Sequence, residues 1–293
     1  MNRTPKIIPL SPHVRPLNVD VTSVRRATDA PRPIWEQRLG TEFLKLRRSK
    51  VTWLSLIVLS FGPLGIGLFM WIVQEPDRAA QLGLLGTKAN LAGLEATWPA
   101  YFSVLTLVVG VGGMLVLSFI IAYLFGREYA DGTAKNLLAL PVGRHYFVLA
   151  KLVVAALWWF ALVASVLAET LAIGLVLGLS GFSAGSALSG SGNALVAAGI
   201  AYLLAPVIAW ITTLGRGYLP PLGFALAMLA LGNVFAKTGW AEWFPWSIVP
   251  LSIGMIGQPV QTMPASSYVL VALTFLAGIA ATILQLRYAD NTQ

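Results

Sequence analysis

Few side chains in this sequence could do covalent chemistry, and their placement is as telling as their types. There is no cysteine, which removes thiolate nucleophiles, thiolate metal sites and disulfides together. The two histidines are His13, near the amino terminus, and His145, far along the chain. H-E-x-x-H is absent, and no lysine directly follows a glycine. The G-x-x-x-x-G-K-[ST] phosphate loop is therefore missing, and the chain does not bind ATP in that way. One carboxylate, Glu169, stands inside a long apolar run. An ionised carboxylate at a bilayer centre costs about 2.5–3.5 kcal/mol on insertion scales, and such groups face a bundle interior or a wet cavity. Glu169 is thus a candidate translocation-path residue. Counted from the cytoplasmic end of its run it lies about 30 Å along a helix, where ordinary hydration at the outer interface would also account for it.

The charges gather instead in FGREYADGTAKNLLALPVGRHYFVLAK, Phe125 to Lys151, an island between two apolar runs. Asp131, Gly132 and Thr133 are turn and helix N-cap residues, and Ala134 to Leu140 can follow as about two turns of helix, stopped by Pro141. Leu137, Leu138 and Pro141 fall near one face. Such an apolar patch on a loop in water is either tucked against neighbouring helix ends or reserved for a partner.

Glu128, the Gly132-Thr133 pair, Leu137-Leu138, Pro141, Arg144 and Lys151 resemble the E-x-x-x-G-T-x-x-x-L-L-x-x-P-x-x-R pattern in the first cytoplasmic loop of ABC-2 type transporter permeases. The family usually has Ser before the Arg, where this chain has Gly143. The resemblance implies that the loop is a coupling helix. Leu137, Leu138 and Pro141 would fill a groove on a separate ATPase subunit, and Glu128 and Arg144 would brace the loop or contact that subunit. It further implies two ATPase copies carrying ATP and Mg, no cofactor on this chain, a second permease chain as a homodimer or a pair with a similar chain, and export as the direction.

Composition agrees with a membrane setting. Of 293 residues 57% are hydrophobic and 11% charged, against roughly 25% charged in soluble proteins. Eleven of the twenty basic residues precede Val51, which reads as a cytoplasm-facing segment of a membrane protein and gives no case for nucleic acid. The first 30 residues hold no apolar core of signal-peptide length, so the first span is expected to insert uncleaved.

Residues 1–33 read as a flexible cytoplasmic tail and 34–293 as the transmembrane domain. Trp35, Leu39, Phe43 and Leu46 follow helical spacing, with Arg38, Lys45 and Arg48 off that stripe. This describes an amphipathic helix on the membrane surface, anchored to lipid headgroups by Arg47, Arg48 and Lys50; the resemblance implies that it is the interfacial elbow helix. Six spans follow, at about 52–73, 100–125, 148–179, 194–214, 219–236 and 266–286. Gly181 to Asn193, rich in serine and glycine and without charge, reads as a flexible loop. Trp240, Trp243 and Trp246 are placed in an outer aromatic belt. Ile248 to Gly257 is too short to cross and is bounded by prolines, so it reads as a re-entrant or interfacial segment between spans five and six. The expected fold is all-α and polytopic.

With both termini cytoplasmic, 17 basic residues fall inside and three, Arg78, Lys88 and Lys237, outside, in keeping with the positive-inside rule. The reading is a permease subunit for ATP-driven export in the cell membrane. Apolar spans suit lipid, peptide or drug-like substrates alike. The alternatives are a non-transporting membrane scaffold, which leaves the motif loop unexplained, and an integral membrane enzyme, for which the residues offer no constellation.

Overall fold

The computed structural model describes residues 34–75, 95–133, 143–253 and 263–288. The tail 1–33, the Ala134 to Leu140 coupling helix and, with it, Leu137, Leu138 and Pro141 lie outside the described residues. Eight helices make up the described fold, with no strand among them: α1 Ile34–Arg47, α2 Lys50–Val73, α3 Trp98–Ala130, α4 Arg144–Val176, α5 Ala184–Gly215, α6 Leu219–Phe235, α7 Pro245–Ile253 and α8 Ala265–Tyr288. Five of them, α2, α3, α4, α5 and α8, are long and apolar enough to cross a membrane, and α6 is a shorter apolar helix.

α5 is the hub, packing against α3, α4, α6, α7 and α8, while α2 and α1 lean on α4. The helices alternate in direction. α2 and α4 leave the end where α1 lies, and residues pair in step along them: Trp158 Nε1 donates to Ser55 Oγ at 3.1 Å, and Gln74 Nε2 donates to the Leu177 carbonyl at 3.0 Å. α3, α5 and α8 return. α6 starts beside α3, with Tyr218 and Tyr123 stacked at 6.5 Å, and climbs to Gly232 under Trp246.

Small residues set how closely the helices approach, since apolar burial gives little drive between helices in lipid. A Cβ at Gly113 would meet Trp159 at 2.5 Å, and one at Gly174 would meet the Trp98 ring. Gly174 therefore serves packing inside the chain. Gly178, at φ +61°, lies just past the end of that helix, in the left-handed region that favours glycine. α2 runs through Pro63, whose carbonyl accepts from Tyr101 Oη at 2.9 Å. α3 is interrupted by a π turn at Val108–Gly112. There α7 reaches in, its Val249 and Ile253 against Gly110.

Two expectations are corrected. Gly181 to Asn193 is no flexible loop beyond Ser183, because α5 starts at Ala184. Ser183 and Ser186 form a reciprocal capping box, and Gly190 lets the helix lie on Phe102, so local chemistry and packing outweigh the low helix propensity of serine and glycine. Trp246 is not in a belt. Trp240 and Trp243 are exposed, but Trp246 is buried against Phe224 and Phe244, its backbone at 2.6 Å from where a Gly232 Cβ would stand.

Gly278 of α8 faces backbone: a Cβ there would meet Pro206 C and Val207 N at 2.8 Å. Gly278→Val should lower stability by about 1–3 kcal/mol through overpacking. Gly199→Ala, with nothing within 4 Å, should be neutral or stabilise by up to about 1 kcal/mol. Thermal melting of the purified variants in one detergent checks both signs.

Candidate functional site: a buried ion cluster at the root of the motif loop

The loop that carries the motif leaves α3 and re-enters α4, and the residues flanking it converge on Lys151. This ammonium is 1% exposed. It donates to Glu128 Oε1 at 2.7 Å, to Glu42 Oε2 at 2.9 Å and to the Leu124 carbonyl. A lysine has three N–H donors, and all three are used. The Phe147 and Phe125 rings lie at 4.8 and 5.7 Å from the nitrogen. Lys45 closes the set, 2.8 Å from Glu42 Oε1 and 3.5 Å from Glu128 Oε1. Two carboxylates and two ammoniums make the cluster neutral, which is the condition for burying it.

Each member is delivered by ordinary helix geometry. On α1, Leu39, Glu42 and Leu46 recur at three and four residues and so share the face turned to α4. Leu46 is buried, whereas Trp35 and Phe43 are exposed. The apolar stripe expected from sequence therefore divides: Leu39 and Leu46 pack inward, and Trp35 and Phe43 point away. Arg47 and Arg48 are exposed at the helix end. Glu42 was missed altogether. It sits among the polar residues of an amphipathic pattern, and its partner is 109 positions away.

Glu128 and Lys151, flagged by the motif, are brought together, and Glu128 is engaged by Lys151 and Lys45 rather than by Arg144, which starts α4 half-buried. Asp131 is exposed and pairs with Arg127 at 3.1 Å, one turn away. Gly132 has φ +66°, a left-handed turn that favours glycine. Thr133 Oγ1 donates to the Glu128 carbonyl at 3.5 Å. The second carboxylate oxygen of Glu128 is buried with no hydrogen-bond partner among the described residues.

Burial pushes the Glu42 carboxyl up, but the Lys151 charge and hydrogen bonds from Lys45 and Lys151 outweigh it and hold it below its ordinary value. Burial likewise lowers Lys45, and Glu42 and Glu128 outweigh that and hold it above the lysine value. The Glu42 contribution is thus complete above the ordinary carboxylate range and is lost as pH falls through the lowered value. The Lys45 contribution is complete below the ordinary lysine range and is lost as pH rises through the raised one.

Glu169 lies apart from this cluster. Ser60 Oγ donates to its Oε1 at 2.8 Å, and Oε2 is buried without a partner among the described residues. Ser60 is near the middle of α2, so the Glu169 carboxylate lies level with the middle of that helix. α4, with 33 residues against 24 in α2, extends further at the α1 end. No group of three or more metal-ligating side chains occurs among the described residues.

A bundle with five bilayer-length apolar helices, an amphipathic helix at one end and a buried ion cluster joining that helix to α3 and α4 defines a multi-pass helical membrane protein. Residues 38–232 match the model of the ABC-2 family transporter proteins, and the chain belongs to that family. It is a transporter permease. A curated relative, the bacitracin transport permease protein BCRB of Bacillus licheniformis, is 30% identical over 178 residues, 61% of this chain and 85% of the relative. The matched stretch runs from α1 into α6 and contains Glu42, Glu128, Lys151 and Glu169.

Lys151→Met should leave two carboxylates buried side by side and remove about 3–5 kcal/mol of stability. Adding Glu42→Gln and Glu128→Gln should restore most of it, since no uncompensated charge stays inside. Melting temperatures of the single and triple variants give the comparison. On acidification below the carboxylate range the native chain should lose stability progressively, and Glu42→Gln should flatten that acid limb in a pH series of thermal melts.

Proposed function

We propose that this chain is the membrane subunit of an ATP-driven exporter, worked by a separate ATPase subunit through the motif segment between α3 and α4. The observation that carries the reading is the buried cluster of Glu42, Lys45, Glu128 and Lys151. It joins α1, α3 and α4 where that segment is rooted. A force applied to Leu137, Leu138 and Pro141 would be passed to three helices as a unit instead of bending one of them. Arg144, Asp131, Gly132 and Thr133 would set the angle at which the segment leaves and returns.

In this account both termini face the cytoplasm and α1 lies in the inner interface, with Trp35 and Phe43 in the lipid boundary and Arg47 and Arg48 at headgroups. α6 makes the sixth crossing. Its 17 residues give about 25 Å, short of about 30 Å of hydrocarbon, a mismatch met by local thinning. α7 is re-entrant from the outer side, and Trp240 and Trp243 rest at the outer interface. Six spans are too few to enclose a path for a bulky substrate, so the working unit in this reading is two permease chains with two ATPase copies carrying ATP and Mg. The relative's name supports an amphipathic peptide, of the antibiotic class, as substrate. Glu169, with a free carboxylate oxygen at depth, would face the path or a partner helix.

Leu137→Asp with Leu138→Asp should abolish copurification of a soluble Walker A partner while leaving membrane insertion intact. Retained association would remove the coupling role from this segment. Glu169→Gln should change the transport rate in vesicles several-fold if the carboxylate lines the path, and an unchanged rate would give it a packing role.

A further inference from the structure

A cavity of about 260 Å³ opens between the first turns of α3, the first turns of α5 and the tip of α7, at the end of the bundle opposite α1. Its walls hold Ser103, Thr106 and Asn193 beside Phe102, Gly190 and Ile253, and no titratable side chain lines it. Ser103 and Asn193 are exposed, and neither makes a hydrogen bond to the described residues. The Thr106 hydroxyl donates to the Phe102 carbonyl at 2.7 Å, so its oxygen can still accept. Depth follows from helix rise: Ser103 is about 8 Å and Asn193 about 14 Å from the start of its helix.

The space is built in. At Gly190 a Cβ would run into the Phe102 ring, which would then swing and take up the room. The floor residue, Ile253, is seated on Gly110 of the π turn, an irregularity that recurs at functional sites. No charged side chain lines the cavity, so a charged ligand group would find no counter-charge here. A group that both donates and accepts is matched instead, by an amide at Asn193 and hydroxyls at Ser103 and Thr106. Apolar surface lies alongside at Phe102 and Ile253. The volume is below the roughly 300–1,000 Å³ of whole-ligand pockets, so it takes one segment of a larger molecule.

We propose that this cavity binds an uncharged, amide-bearing segment of an amphipathic peptide, with Asn193 and Ser103 pairing its backbone N–H and C=O groups. Phe102 and Ile253 receive the neighbouring apolar side chain. The assignment deepens the peptide-export reading and rests on it for the class of ligand. Asn193 and Ser103 thereby set specificity at the end of the pathway away from the ATPase contact.

The absence of native cysteine makes the test direct. Ser103→Cys, a near-isosteric change, is labelled with N-ethylmaleimide in the full permease–ATPase complex in proteoliposomes, with bacitracin as the probe. Bacitracin should slow labelling at Ser103→Cys several-fold and leave a control at exposed Thr238→Cys unchanged. In the complex without an introduced cysteine, Asn193→Leu should raise the half-saturating bacitracin concentration about tenfold with an unchanged maximal rate, the scale of one or two ordinary hydrogen bonds. ATP-driven bacitracin uptake with no protection of Ser103→Cys would overturn the site and leave the export reading standing. Protection without ATP-driven uptake would support the site and overturn that reading. Equal protection by dodecyl maltoside would overturn the assignment to a peptide amide.

Discussion

The ammonium of Lys151 is the constraint on which the α1 end of this molecule depends. Taking a charge of that kind out of water costs several kcal/mol, and the cost is offset only when each donor has an acceptor and the net charge is cancelled. No one helix supplies those acceptors. One carboxylate comes from α1, the other carboxylate and the Leu124 carbonyl come from α3, and the lysine itself belongs to α4. Lifting α1 away would strand a buried charge, so the amphipathic helix is held by more than its apolar face. The turn after it is fixed in the same way: Thr52 Oγ1 donates to the Leu46 carbonyl, and Ser49 lies buried beside it at 3.3 Å.

From that joint the bundle is tied together by close contacts along α4. The Trp159 indole crosses to α5, donating to the Ala198 carbonyl at 3.0 Å, and its ring fills the notch left by Gly113 of α3. Further along, Gly174 receives Trp98, whose backbone N–H is in turn bonded to Ser180 at 3.0 Å. A displacement of α4 at the loop would therefore be felt at the start of α3 and of α5, where the polar cavity lies. Contiguity of this kind is a mechanical route; the coupling itself is a difference in free energy between two states.

Much of this was legible in the sequence, because a bilayer demands long uninterrupted apolar helices and the chain shows them. α2 and α8 fall on apolar runs, and the short, proline-bounded α7 stands out for its length. The charges at the loop were legible too, from the spacing of Glu128, Gly132, Arg144 and Lys151. What the sequence did not disclose was pairing. Glu42 looks like a surface residue until Lys151 is placed opposite it, and no local pattern records a contact across 109 positions. Residues 184–193 looked like a linker because serine and glycine are weak helix formers, yet here serine caps the helix and glycine admits Phe102. Trp246 followed its neighbours into an expected belt, while the space above Gly232 drew it into the core.

The central claim is that α1 and α4 move as one body because Lys151 binds them. The most direct measurement is the distance between spin labels at Leu44→Cys on α1 and Leu149→Cys on α4, both exposed, in the ATPase-bound chain with and without ATP. The account predicts one narrow distance in both states, broadening when Lys151→Met is introduced. A nucleotide-dependent change of about 5 Å, the size of a one-turn ratchet of one element past another, in the chain with Lys151 intact would contradict it.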